Sequence, residues 1–518
     1  MTQASTNSAP EYPDNIDGAV LKIAGVVVLG AIMTILDITV VNVALPTFQT
    51  AFTGIDDPLP YSTVAWTVTG YTLALATVIP LTGWAADRFG TKRLYLAAIG
   101  LFTLGSALCA AAQSIEMLIT FRVLQGLGGG MLMPLGMTIM TRAAGPHRMG
   151  RLMAVLGIPM LLGPIMGPIL GGWLIEHASW HWIFLINVPI GAAALVYAFV
   201  VLPTDAPQPS ESFDFLGMLL LSPGLALFLF GVSSLPQEGG DITAPRVWVS
   251  MLVGVLLMGT FVWHAFRPEH PLLDLRLYRH RNLTVSSITM FLFAAAFFGA
   301  LLLVPTYFQE VRGESTLRAG LLVAPQGIGA MITMPIAGAL VDKFPVGRIV
   351  PFGLVLITIG MLGWTQVEAD TSYSLLLGFL FVMGLGMGGT MMPLFTTALK
   401  TLTHHEVARG STLLNITQQI ASSVGVAVMS VMLTSQLKDA PLALPAIAAQ
   451  KDPSLADQMG GAAAVAEGLA QAAAAFATSY WLATFLVLLT FVPVCFLPRK
   501  REVTHLLDEE GVPPVVVH

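Results

Sequence analysis

Two ionisable residues stand inside long apolar stretches of this chain. Asp37 lies within Leu36-Asp37-Ile38-Thr39-Val40-Val41-Asn42-Val43-Ala44-Leu45-Pro46. Arg122 lies within Arg122-Val123-Leu124-Gln125-Gly126, six residues after Glu116, and is the only Lys or Arg well inside such a stretch. A charged acid at the centre of a membrane-spanning helix costs about 2.5–3.5 kcal/mol, so it must take up a proton or find a partner. Reversible proton uptake is the property of a proton carrier; a structural acid bonded to a neighbouring helix is the plain alternative. An arginine at that depth faces the bundle interior and pairs with an acid or with carbonyls, which makes Asp37 its partner to test.

Other chemistries find little support. No nucleophile–base pair or metal constellation stands out, so the chain does not read as an enzyme. Gly384-x-Gly386-x-x-Gly389 fits a dinucleotide fingerprint on paper, but it sits in an apolar run with no strand before it. No GxxxxGK[ST] occurs, which argues against direct ATP use. His404-His405 begins no ligand cluster, and Cys109 and Cys495, the two cysteines, cannot build a zinc site or a disulfide framework. No metal and no cofactor is therefore expected.

The elements that must carry these residues follow from composition. Of 518 residues, 55% are hydrophobic and 10% charged, and the mean hydropathy is +0.77. Soluble domains carry roughly 25% charged residues, and burying this much apolar sequence in one water-soluble core is implausible. The lipid bilayer is the natural solvent. A net charge of −6 and a pI near 5.9 argue against a nucleic-acid surface.

Apolar runs of roughly twenty residues, enough to cross a hydrocarbon core of about 30 Å as helix, recur throughout. They fall at 21–45, 64–82, 94–112, 116–140, 152–174, 183–202, 215–235, 247–265, 284–305, 319–340, 349–365, 375–398, 409–433 and 478–498. Fourteen spans put both termini on one face. With the N-terminus inside, the loops on that side collect Arg88, Lys92, Arg93, Arg142, Arg148, Arg151, Arg267, Arg276, Arg279, Arg281, Lys343, Arg348, Arg499, Lys500 and Arg501. The other side holds Arg246, Arg312, Arg318, Lys438 and Lys451. Positive charge stays inside, so both termini are expected in the cytoplasm. Residues 1–20 carry Glu11, Asp14 and Asp17 but no Lys or Arg, and read as a disordered cytoplasmic tail rather than a secretory signal. The alanine-rich stretch 463–477 predicts a short helix on the outer face.

An internal repeat divides the chain. Ala44-Leu45-Pro46-Thr47-Phe48-Gln49 is echoed by Val304-Pro305-Thr306-Tyr307-Phe308-Gln309. Gly83-x-x-x-Asp87-Arg88-Phe89 is echoed by Gly338-x-x-x-Asp342-Lys343-Phe344. Gly126-Leu127-Gly128 with Met133-Pro134-Leu135 is echoed by Gly384-Leu385-Gly386 with Met392-Pro393-Leu394. Spans 1–6 thus pair with spans 9–14 in the same orientation, one of the known transporter plans, with the substrate site between the halves. The expected organisation is a six-helix half over 21–202, two inserted helices and a loop over 203–283, a second six-helix half over 284–498, and a cytoplasmic tail over 499–518.

These blocks resemble the fourteen-span drug:proton antiporters of the major facilitator superfamily, the group typified by the EmrB and QacA exporters, from about residue 30 to residue 500. The Asp37 block is similar to the family's span-1 signature. Gly83-Trp84-Ala85-Ala86-Asp87-Arg88-Phe89-Gly90-Thr91-Lys92-Arg93 resembles the superfamily's signature between spans 2 and 3, with Thr91 where Arg is usual. The resemblance implies a cytoplasmic gate of Gly83, Asp87, Arg88, Gly90, Lys92 and Arg93; without it, the charges are topology anchors. The span-4 motif matches at Arg122, for which the family implies a part in proton coupling beside Asp37. Gly163, Pro164, Gly167, Pro168, Gly171 and Gly172 in span 5 resemble the antiporter motif found in exporters. As bare physics they predict a groove for a neighbouring helix and a loosened backbone.

Trp180-His181-Trp182-Ile183-Phe184-Leu185-Ile186-Asn187-Val188-Pro189 matches the family's entry to span 6, and Arg409-Gly410-Ser411 followed by Asn415, Gln418 and Gln419 resembles its span 13. Those three amides share one helical face; with Asn42 and Gln326 they are candidates for a polar substrate cavity, or equally for interhelical glue. The expected fold is an all-α membrane protein of two parallel six-helix halves plus two inserted helices. The expected function is proton-coupled export of small lipophilic, often cationic compounds from the inner membrane, multidrug efflux by alternating access. Export of an endogenous lipid, siderophore or metabolite is the rival within transport, and a membrane sensor that moves nothing is the rival outside it. Nothing in the sequence specifies an accessory periplasmic protein.

Overall fold

The structure, a computed structural model, describes residues 18–53, 59, 61–144, 149–204, 213–403, 406–451 and 453–499. Arg148, His404, His405, Lys500, Arg501 and nearly all of both expected tails lie outside the described residues. Helix dominates, and no strand occurs among the described residues. In chain order the helices are α1 (Gly18–Ala51), α2 (Tyr61–Val64), α3 (Trp66–Val78), α4 (Leu81–Phe89), α5 (Thr91–Ala110), α6 (Ile115–Ala144) and α7 (Met149–His177). There follow α8 (His181–Leu185), α9 (Asn187–Val201), α10 (Phe215–Ser234), α11 (Pro245–Ala265), α12 (Arg281–Glu310), α13 (Thr316–Lys343) and α14 (Val346–Trp364). The last are α15 (Tyr373–Gly388), α16 (Met391–Lys400), α17 (Glu406–Asp439), α18 (Ala443–Lys451), α19 (Pro453–Gln458) and α20 (Ala462–Val494).

Among the described residues twelve helices are long and apolar enough to cross a membrane, or thirteen when α3 and α4, bent by 56° at their junction, count as one. The expected span 152–174 falls in α7, much of which lies outside the described side chains. The exact count of fourteen therefore does not emerge from the described residues, while every expected span falls on helix, with 64–82, 183–202 and 375–398 each split over consecutive helices. Pro80 accounts for the break in span 2, since proline lacks the donor that a continuous helix needs there. Gly90 then closes α4 at φ 85°, a left-handed conformation that favours glycine, and lets α5 start at once.

The alanine-rich stretch differs from expectation. It forms no separate helix but the first turns of α20, which runs unbroken over 33 residues. Alanine carries the highest helix propensity, so the span simply extends past the apolar core. The short helices at this end are α18 and α19, which precede it.

Packing sorts the helices into two sets. In the first, α1 lies against α6, α7 and α9, and α5 against α6 and α9. In the second, α12 lies against α16, α17 and α20, and α13 against α15. A buried aromatic cluster of Tyr307, Phe308, Trp364, Phe476 and Tyr480 knits the second set. The sets meet where α7 packs on α13 and where α17 crosses α4 and α6. The inserted helices α10 and α11 pack mainly on each other and lie at the edge of this seam. Ser222 Oγ donates to Thr77 O at 2.7 Å, Trp66 stacks on Phe230, and α10 also touches α17.

Candidate functional site

Asp37 and Arg122 meet in the interior of the first set. Arg122 Nη1 stands 2.5 Å from Asp37 Oδ2, and both side chains are fully buried. The pair is held by groups from several helices. Gln125, one turn beyond Arg122 on α6, accepts from Arg122 Nη1 at 2.7 Å and donates to Asp37 Oδ1 at 2.8 Å and to Ser106 Oγ at 3.0 Å. Asn187, the first residue of α9, donates to Asp37 Oδ1 at 3.2 Å and to Ser106 Oγ at 3.1 Å. Ser106 itself donates to Phe184 O at 3.1 Å. Arg122 Nε donates to Thr67 O at 3.0 Å, and its guanidinium carbon lies 4.0 Å from the centre of the Tyr71 ring.

Asp37 thus faces three N–H donors at once, an arrangement suited to a carboxylate. Arg122 Nη2 and the Tyr71 hydroxyl, both buried, find no hydrogen-bond partner among the described residues. Small residues permit this convergence. A Cβ on Gly105 would stand 2.7 Å from Gln125 Cα, and one on Gly126 would stand 2.5 Å from Tyr71 O. Side chains there would push α5 and α3 away from α6.

The glycines of α7 support the same site from outside. A Cβ on Gly163 would meet Ile35 Cγ2 at 2.1 Å, one on Gly167 would meet Thr39 Oγ1 at 2.2 Å, and one on Gly171 would meet Val40 Cγ1 at 3.1 Å. The expected groove exists, and the turn of α1 that carries Asp37 lies in it. Gly172 is half-buried and has nothing within 4 Å of its Cβ position. The Pro164 and Pro168 side chains lie outside the described residues.

About 30 Å along α6 from Arg122, at twenty residues of helix rise, the two sets close on each other. Asp87 pairs with Arg142 at 3.8 Å and with Arg409 at 3.7 Å. Arg142 also donates to Thr91 Oγ1 at 2.8 Å, so the residue that departs from the family pattern takes part in this contact. Thr82 and Thr412 share a hydrogen bond of 3.1 Å, as do Thr138 and Ser411. Gly83 leaves room for α17: its Cβ would lie 3.5 Å from Arg409 Cα. Arg88 and Arg93 are exposed, and Lys92 donates to Leu202 O at 2.6 Å.

A second charge pair crosses the seam in the reverse sense, Asp342 of α13 with Arg151 of α7 at 3.4 Å. Arg151 and Arg409 are 258 positions apart, the interval between Gly126 and Gly384. They occupy matching places in the repeat, as do Asp87 and Asp342.

The amides expected at a cavity scatter. Asn42 is exposed on α1, and Gln418 and Gln419 are half-buried. Asn415 donates to Ser411 O at 2.7 Å and to Met137 Sδ at 3.4 Å, across the seam. Gln326 is 3% exposed, and neither of its amide atoms finds a partner among the described residues. Sequence reasoning assigned no role to Gln125, Ser106 or Asn187. Gln125 had a usable signal, its position three residues after a buried arginine on the same helical face.

A charge pair walled in by membrane-length helices of one set, with the second set packed against the first through α7–α13 and α17, belongs to a polytopic membrane transporter. The family model described as Major Facilitator Superfamily matches residues 27–426. This chain belongs to that superfamily. It is 47% identical over 507 residues to the "Multidrug resistance protein B homolog" of Mycobacterium tuberculosis H37Rv, covering 95% of this chain and 92% of that one. It is 30% identical to the "Multidrug export protein EmrB" of Haemophilus influenzae, over 82% of this chain and 83% of that one. Among solved structures, the human organic anion transporter MFSD10 aligns with a TM-score of 0.60 at 17% identity, covering 92% of this chain and 100% of that one. The proton:xylose symporter XylE aligns with a TM-score of 0.55 at 17% identity, covering 90% and 94%. These last two share the fold.

Proposed function

We propose that this transporter is a proton-coupled antiporter of the inner membrane that exports small lipophilic, often cationic compounds by alternating access, with both termini in the cytoplasm. The buried Asp37–Arg122 pair, bridged by Gln125, carries this proposal. The names of the similar multidrug proteins support the cargo class, and the concentration of basic loops at the Asp87 end supports the orientation.

The proton acts on the Asp37 carboxyl. In the unprotonated state Asp37 accepts from Arg122, Gln125 and Asn187. A proton arriving from outside turns one carboxyl oxygen into a donor, which cannot face another donor. At least one of the three must turn away, and Arg122 loses its counter-charge. Breaking a buried pair costs about 3–5 kcal/mol, while each proton entering down 100 mV contributes about 2.3 kcal/mol. The quantities are comparable, as a reversible switch requires. α6 carries Arg122 near one end and Arg142 at the other, so rearrangement at the pair reaches the Asp87 latch through one helix. The glycine contacts of α7 let α1 shift against it without a rotamer barrier.

The test is uptake of a fluorescent lipophilic cation into inside-out vesicles with an acidic interior. Wild-type uptake that a protonophore abolishes, and that Asp37→Asn loses, is the expected result. Energised uptake at the wild-type rate by Asp37→Asn would remove Asp37 as the carrier.

A further inference from the structure

Beyond transport, the Asp87 end of the second set holds a recess that the proposed mechanism does not use. Between the first turn of α12 and the chain after α20 lies a cavity of about 430 Å³ lined by Arg281, Asn282, Cys495, Leu497, Pro498 and Arg499. Both arginines are exposed, and no acidic residue lines the recess among the described residues. Its floor is fixed. Arg281 donates to Phe496 O at 3.3 Å, and Gly347 at the start of α14 donates to Pro498 O at 3.1 Å.

Directly beyond it, along the same two helices, runs an apolar groove of about 440 Å³. Val285, Ile288 and Leu292 form one wall, at helical spacings of three and four on α12. Leu489, Val492 and Phe496 form the other. Ile288 is 50% exposed, Val492 59% and Phe496 56%, so the groove opens outward from the bundle, where the bilayer lies.

We infer that this recess and groove bind one anionic phospholipid of the surrounding leaflet, its phosphate between Arg281 and Arg499 and an acyl chain between α12 and α20. Charge and position select this occupant. Two guanidinium groups and the N-terminus of α12 give the recess a positive field, guanidinium matches phosphate geometry, and basic pockets between transmembrane helices at the membrane surface take acidic headgroups. The apolar groove meets the recess on the membrane side, so one molecule with a charged head and an alkyl tail fills both. A soluble anion would leave the groove to other chains. The lipid would strap α12 to α20 at the end where His280, just before α12, meets Glu406 of α17 at 3.6 Å.

The experiment titrates phosphatidylglycerol onto the detergent-purified full chain and reads the lipid-bound fraction by native mass spectrometry. Arg281→Gln with Arg499→Gln should weaken binding about 30-fold, the combined effect of two cations beside an anionic headgroup. Arg267→Gln with Arg279→Gln removes the same charge from exposed positions before α12 and should weaken it less than twofold. Ile288→Trp, which fills the groove and leaves both arginines, should also lower the bound fraction. Equal loss in the two arginine pairs would reduce the effect to general surface charge and overturn the proposal. So would equal retention of phosphatidylcholine, or full displacement by excess inorganic phosphate, which marks a free-anion site. None of these readouts depends on transport, so failure here leaves the antiport proposal standing, and the reverse.

Discussion

Replacing Asp37 by Asn, alone and together with Arg122→Met, separates a carrier from a merely structural acid. The single variant leaves a fully buried guanidinium with no counter-charge. Arg122 keeps its bonds to Gln125 Oε1 and Thr67 O and its place over the Tyr71 ring, so the loss falls near the lower end of the range for breaking a buried pair, about 3 kcal/mol. Removing both charges restores most of that stability, because no uncompensated charge is then left buried. The asparagine amide oxygen can still accept from Gln125 and Asn187, but Gln125 Oε1 and Thr67 O lose the Arg122 donor, each at about 1 kcal/mol, so the double variant should lie within about 2 kcal/mol of wild type. Two assays run side by side: thermal unfolding in detergent and proton-driven uptake in inside-out vesicles. Stability should fall and largely return, while energised uptake is lost in both variants. If the double variant regained uptake along with stability, the pair would be structural and the proton would travel elsewhere.

Two further outcomes follow from the packing. Gly167→Ala places a Cβ 2.2 Å from Thr39 Oγ1 and 3.0 Å from Thr39 carbonyl carbon; the overpacking should cost about 1–3 kcal/mol and slow transport. Gly172→Ala, with nothing within 4 Å, should leave thermal stability and uptake unchanged. At the seam, Arg409→Gln removes a partly exposed pair worth about 0.2–1 kcal/mol, an opening of up to about fivefold. A Thr412→Cys reporter, in a background where Cys109 and Cys495 are serine, should react correspondingly faster with a membrane-impermeant thiol reagent, and an unchanged rate would remove Arg409 from the latch.

Much of the fold was legible because a bilayer asks for one simple thing, a continuous apolar helix, and Asp37 and Arg122 stood out against that background. The neutral partners did not. Ser106, Gln125 and Asn187 are residue types common in spans, and which way a hydroxyl or amide faces depends on how α5, α6 and α9 pack. Asp87 shows the same limit. The family resemblance drew attention to its neighbours Arg88, Lys92 and Arg93, whereas it pairs with Arg142 and Arg409, far along the chain. The helices also outrun the apolar runs: α1 covers 18–51 where hydropathy marks 21–45, because helix continues past the hydrocarbon edge. The repeat predicted matching halves, but not that the acid of each would reach the arginine of the other.

That reciprocity has a consequence for ancestry. When position i of one unit meets j of a second, and j of the first meets i of the second, the contact is isologous, the pattern of a two-fold symmetric dimer. Asp87 with Arg409 and Asp342 with Arg151 form such a pattern within one chain. A surface of this kind is self-complementary, so two identical six-span units could close on each other before any gene fusion joined them. The same symmetry sets how the seam parts. Under the proposed alternating access, a rotation about an axis lying in the membrane would pull on both clasps together, so the end would open as one event rather than tooth by tooth.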